Sequence, residues 1–229
     1  MKRFYTLLLL AFVAIAPEAI AADNNYGDSG YGRTYINYGD ALVSWNKASD
    51  TNQTLFPFSK GVALGHLRTV GLSGALPLYV EFGVNAQYSY GDSTSELLGV
   101  TTTYKANMFA VNVPLHLSFN ISLGGIGIVP YAGINFRGNI SGTQTTEIKL
   151  GNTTTTEELR LFDDSDAKGA AGDNAWESFQ AGLSYGVSLN LGRCTIGIGI
   201  VSDITPLADY DDDYSATLTY KSLSIGYAF

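Results

Sequence analysis

The chain alternates. Counting back by twos from Phe229 gives Tyr227, Ile225 and Leu223, all apolar, with small Ala228, Gly226, Ser224 and Ser222 between them. Successive strand residues point to opposite faces, so period two predicts a β-strand with one apolar face and one small, polar face. The pattern recurs upstream. Leu78, Val80, Phe82, Val84, Ala86, Tyr88 and Tyr90 share a face, against Tyr79, Glu81, Gly83, Asn85, Gln87 and Ser89. Phe109, Val111, Val113, Leu115, Leu117 and Phe119 repeat it. So do Ile128 to Phe136, Phe179 to Leu191, and Ile196, Ile198 and Ile200.

These runs predict eight strands, near 33–45, 60–70, 78–90, 109–119, 126–138, 177–191, 194–203 and 217–229. Three places break the rhythm. A bulge is expected at Gly39-Asp40. The phase of the second strand shifts near His66. Pro114 cannot donate to a ladder, which implies a bulge or one missing bond. Several runs exceed the usual five or six residues of a sandwich strand and match the roughly 9–11 of a tilted spanning strand.

The connections alternate in length, short after the second, fourth and sixth strands and long and polar after the others. That is the barrel pattern of short periplasmic turns and long extracellular loops, and an even strand count puts both termini on the periplasmic side. The longest connection, 139–176, carries Gly151-Asn152 between Thr-rich runs and reads as a hairpin tip. Glu147, Lys149, Glu157, Glu158 and Arg160 favour a ribbon above the membrane. Two further barrel strands, making ten, are the alternative. The expected fold is an all-β, transmembrane, antiparallel up-and-down barrel over 33–229.

The front of the chain sets the compartment. Lys2 and Arg3 precede an apolar run from Leu7 to Ile15, and Ala19-Ile20-Ala21 offers a small-residue cleavage site. This describes a secretory signal peptide over 1–21. An anchoring helix needs about 20 apolar residues, and Glu18 interrupts. Residues 22–32 read as a flexible lead-in. No later segment is apolar and long enough for a membrane helix.

Composition narrows the partners. Only 15% of residues are charged, 12% are aromatic, and the net charge of −8 argues against nucleic acid. Cys194 stands alone, so no intramolecular disulfide forms; the expectation is a small buried apolar residue.

Candidate chemistry is sparse. Glu81, His116 and Arg137, with Arg68, are placed in the lumen as a buried polar network, where charges must be paired or solvated. His116 with Ser118 is the nearest approach to a catalytic pair, but no Gly-x-Ser-x-Gly elbow or third partner is fixed by spacing. Catalytic residues are therefore expected to be absent. Asp163, Asp164 and Asp166, and separately Asp209, Asp211, Asp212 and Asp213, form acidic clusters of the kind that suit a hard cation. The first fails the EF-hand template, and both also read as solvated loops. No Cys/His ligand set, phosphate loop or dinucleotide fingerprint occurs, so neither metal nor cofactor is expected.

Four runs carry a family resemblance: Pro77 to Gly83, Val113 to Leu117, Pro130 to Gly133 and Gly226 to Phe229. On these the chain resembles the PorT-like outer-membrane β-barrel proteins, within the small OmpX-like and OmpA-like barrels. The resemblance implies the fold, the outer membrane of a Gram-negative cell, and recognition of the terminal Leu223, Ile225, Tyr227 and Phe229 by barrel-assembly machinery. It supplies no catalytic set. The expected role is structural or interactive, non-enzymatic, with outer-membrane lipid around the barrel and a ligand or protein at the loops. A narrow channel or secretion-associated barrel is the alternative, and a lipid-modifying enzyme a third.

Overall fold

The first strand pairs with the last. The computed structural model describes residues 30–45, 58–72, 76–162, 176–211 and 214–229. Among them are β1 (Tyr31–Trp45), β2 (Lys60–Gly71), β3 (Leu78–Leu97), β4 (Val100–Phe119), β5 (Ile121–Leu123), β6 (Ile126–Leu150), β7 (Thr153–Arg160), β8 (Phe179–Leu191), β9 (Cys194–Asp203), β10 (Ala208–Asp211) and β11 (Tyr214–Ala228). Eight form a ring, β1-β2-β3-β4-β6-β8-β9-β11, which returns to β1, each pair antiparallel. β5 and β7 pair with β6, and β10 with β11, so they lengthen hairpins without widening the ring.

Closure is staggered. Register runs from Gly32 through Arg68, Phe82, Leu115, Ile134, Leu183, Ser202 and Thr219, and returns to β1 at Leu42, ten residues beyond Gly32. Such a shear requires tilted strands, and eight of them leave an interior that side chains fill.

The barrel is inside out. Leu64, Ile198, Ile225, Leu183 and Leu117 stand exposed on the outer wall, while Glu81, Arg137 and Gln180 are fully buried. Water does not reward this arrangement, because exposed large apolar side chains recur on every ring strand, whereas a soluble monomer usually shows only isolated ones or one small patch.

Gly39 does not bulge. β1 keeps one register along its whole pairing with β2 and β11. The glycine answers a close approach instead, since a Cβ there would stand 1.8 Å from the Lys221 carbonyl oxygen. The bulge lies in β6, where Phe109 and Ala110 face Ser141 and Asn139 and Ile140 is the extra residue. At Pro114 the β3–β4 pairing skips Gly83 and Val84 and resumes in the same register, so the missing donor leaves a gap without a slip.

The segment 91–108, which lacks apolar alternation, is not a loop. β3 and β4 pair out to Leu97 and Val100 around a turn at Leu98-Gly99, where φ is 53° and 80°. β4 and β6 pair as far as Val100 and Leu150, and β7 adds its eight residues to β6. The result is a four-stranded ribbon, β3-β4-β6-β7, that continues beyond the apolar wall. β1 begins at Tyr31, two residues inside the stretch read from sequence as lead-in. The signal-peptide reading of 1–21 lies outside the described residues.

Cys194 is exposed, which corrects its assignment as a buried residue. It falls in the outward phase of β9 with Ile196 and Ile198, and pairs across to Tyr227.

Inside, the two ends differ. At the ribbon end Phe58, Met108, Leu161, Trp176, Leu207, Leu218 and Tyr220 pack into an apolar cluster with Ala41 and Ala216. The sequence suggested a polar lumen throughout. The connections supply the difference, because Phe58, Leu161, Trp176 and Leu207 lie outside the ring strands and fold back over the opening.

Candidate functional site

Below that apolar cluster the lumen is polar. Its inward row comes from Arg33 and Tyr35 on β1, Thr69 on β2, Glu81, Asn85 and Gln87 on β3, Asn112 and His116 on β4, Tyr131, Asn135 and Arg137 on β6, Ser184 and Ser188 on β8, and Asp203 on β9. Most of these side chains are buried.

Two charge centres form. Toward the turn end, the Glu81 carboxylate lies 3.7 Å from Arg33 and 3.9 Å from His116 Nδ1, and Thr69 donates to it at 3.3 Å. Arg33 reaches Ser188 at 3.3 Å. Toward the ribbon, Arg137 pairs with Asp203, both fully enclosed, and donates from Nε to Asn112 at 3.1 Å. Asn112 links the two regions by donating to Asn85 and Gln87 and accepting from Asn135. Pairing is what makes such burial tolerable, because an unpaired charge in this interior costs several kcal/mol (roughly 3–5).

His116 is held on two sides. Its ring stacks on Tyr131 with centroids 4.7 Å apart, and Nε2 lies 2.9 Å from the Ser184 hydroxyl. Ser184, His116 and Glu81 therefore stand in the order of a hydroxyl, base and orienting carboxylate. Two requirements of that chemistry are unmet. Ser184 sits mid-strand, registered against Gly133 and Val201, so the local N–H groups belong to the ladders and do not converge on a developing oxyanion. The adjoining cavity, lined by Arg33, Tyr35, Asn85, His116 and Ser184, has a volume of about 60 Å³. That holds a few waters, each needing roughly 10–15 Å³ of accessible space. Buried atoms facing it, including Arg33 Nε and His116 Nδ1, have no protein hydrogen-bond partner, as expected beside a wet cavity.

The structure brings Glu81 and His116 together and holds Arg137 one layer away. Arg68 is not in the lumen. β2 alternates without a phase shift, with Ala63, Leu67 and Thr69 inward, so Arg68 shares the outward face with Leu64 and Val70. The sequence missed Arg33, Ser184 and Asp203. Asp203 was within reach, since continuing the inward row Thr195, Gly197, Gly199 by twos arrives at it. Arg33 was obscured by the irregular pattern of β1.

Of the acidic residues, Asp163, Asp164, Asp166, Asp212 and Asp213 lie outside the described residues. Asp209 and Asp211 fall on β10. Among the described residues no group of three or more His, Cys, Asp and Glu stands close enough to hold a metal ion.

No protein-family model and no curated protein matches the chain. Solved structures do align with it. One is Ail, the attachment invasion locus protein of Yersinia pestis, at 12% identity over 88% of this chain and 99% of that one, TM-score 0.36. Neisserial surface protein A aligns at 11% identity over 86% and 97%, TM-score 0.44. A major outer membrane protein from Thermus thermophilus aligns at 12% over 87% and 99%, TM-score 0.41. The class this chain's own structure defines is a closed, eight-stranded, inside-out antiparallel barrel.

Proposed function

We propose that this is an integral outer-membrane protein whose barrel anchors a surface-interaction ribbon and performs no catalysis. The observation that carries the reading is a contrast between the two parts. The barrel interior is filled, with an apolar cluster at one mouth and paired charges below it. The β3-β4-β6-β7 ribbon continues past the apolar wall, and among the described residues its outer strands each have one unpaired edge. An exposed strand edge is a template for another chain. Function at the ribbon, on a rigid scaffold, follows the usual division between loops and framework.

The apolar outer wall supports the membrane assignment, since lipid is the solvent that such a surface suits. On this reading the turn end, where Phe229 and Gly32 exchange backbone hydrogen bonds of 2.9 and 3.1 Å, faces the periplasm. The outward Leu223, Ile225 and Tyr227 beside it are the segment offered to assembly machinery. The PorT-like kinship is part of the proposal. In support of it, Val113 to Leu117 lies between Phe82 and Val80 on one side and Ile134 and Ala132 on the other, so three of the resembling runs make one patch of wall.

Proteinase K applied to intact cells should cut within 91–106 or 143–160 and leave the ring protected. Purified protein should also shift on gels after heating in detergent and show no steady conductance in planar bilayers. Protein that stays soluble without detergent sinks the membrane reading. Steady, selective conductance through the polar cavity replaces the anchor reading with the narrow-channel one.

A further inference from the structure

Three residues interrupt the apolar wall in a single row. Lys60 on β2, Asp40 on β1 and Lys221 on β11 are direct neighbours in register, all on the outward face. Asp40 pairs with Lys60 through a short contact. Lys221 is exposed and makes no ion pair among the described residues. Below Lys221 the wall is indented. Val187, Ile198, Ile200 and Leu223 line a shallow groove between Tyr38 and Tyr185, open to the outside and about 740 Å³ in volume. That lies within the roughly 300–1,000 Å³ of small-molecule sites.

We infer that this groove on β1, β8, β9 and β11 holds an anionic membrane lipid, with an acyl chain on the apolar floor and the headgroup phosphate on Lys221. The inference rests on the membrane reading above. A free ammonium at the edge of a lipid-facing wall calls for an anion, and its acidic neighbour Asp40 is already paired with Lys60. One end of the groove is cationic and the rest is apolar, which is the polarity of a single amphiphile. A second copy of the chain fits less well. A two-fold contact sets a patch against itself, and the row of two lysines and one aspartate would meet a second row of the same net positive charge.

The test is native mass spectrometry of the folded, detergent-purified protein, titrated with phosphatidylglycerol or with phosphatidylcholine of the same chains. Wild type should retain phosphatidylglycerol at about tenfold lower lipid concentration, roughly what one additional charged contact provides. Lys221→Gln should lose that preference, Lys221→Arg should keep it, and Lys105→Gln, on the ribbon, should not change it. Ile198→Trp keeps the charge and fills the floor, so it should lower retention of both lipids. Equal retention of the two lipids by wild type overturns the inference. So does a preference that survives Lys221→Gln, or a dimer mass without lipid. A heat-induced gel shift on each variant before titration confirms folding. Failure of the membrane reading shows separately, as protein soluble without detergent.

Discussion

The Nε2 of His116 lies 2.9 Å from the hydroxyl of Ser184, a residue 68 positions away on β8, while Ser118, two residues along β4, keeps a buried hydroxyl with no protein partner. Geometry explains the choice. Residues two apart on a strand point the same way from positions roughly 6–7 Å apart, too far for a direct bond between short side chains. His116 and Ser184 are instead both registered against Gly133 of β6, and the glycine, having no side chain, leaves them room to meet across that strand. The bond ties β4 to β8 over the intervening β6, and Glu81 and Tyr131 hold the imidazole from the other sides.

On the non-catalytic reading proposed above that bond is structural, so fluorophosphonate should not label Ser184 in the folded protein, and no fatty acid should be released from phospholipid vesicles. His116→Ala should lower stability by about 1–3 kcal/mol, because it leaves Ser184 and Glu81 short of a partner. Urea unfolding in micelles measures this. Lipid hydrolysis that disappears in Ser184→Ala would show an enzyme instead.

The Arg137–Asp203 pair is more sensitive. Arg137→Ala strands a buried carboxylate and should cost about 3–5 kcal/mol in the same unfolding assay. The double variant Arg137→Met/Asp203→Leu should recover most of that loss. Equal losses in the single and double variants would show that packing volume, not charge pairing, matters at this layer.

Gly39 guards closure. A side chain there meets the Lys221 carbonyl, so Gly39→Val should prevent β1 and β11 from pairing, and the heat-modifiable gel species should be lost. Refolded Gly39→Val that shifts normally would show that the seam relaxes.

The apolar cluster at the ribbon end can be tested by truncation. Leu161 and Leu207 are almost completely buried, and either Leu→Ala change should cost roughly 2–5 kcal/mol. A loss well below 1 kcal/mol would show the connections to be loosely seated.

Cys194 offers a simple check of facing. Because it is exposed near the turn end, a small maleimide should label it without denaturant in detergent-solubilised protein. Labelling only after unfolding would place it inside.

How much of this the chain revealed depends on periodicity. Where alternation was strong, as from Leu78 to Tyr90 and from Phe109 to Phe119, strands and facings were legible, because period two maps side chains to faces without reference to partners. Where polar residues ran together, as in 91–108, the pattern was silent. The ribbon there rests on backbone hydrogen bonds, which leave no hydrophobic signature. Arg68 was misplaced because Leu64 and Leu67 suggested a phase shift that the register does not contain.

The sequence alone therefore determined the class, an antiparallel all-β barrel, and the inward row that carries Glu81, His116 and Arg137, while eight ring strands rather than ten were decided by the pairing itself. Only the tertiary structure decided which inward residues meet, that Arg33 and Asp203 supply the opposite charges, that one mouth is filled by Phe58, Leu161, Trp176 and Leu207, and that Lys221 stands beside an apolar groove. The reason is shear. A ten-residue stagger around the ring sets residues from different strands at one level, and no local pattern in the chain records that offset.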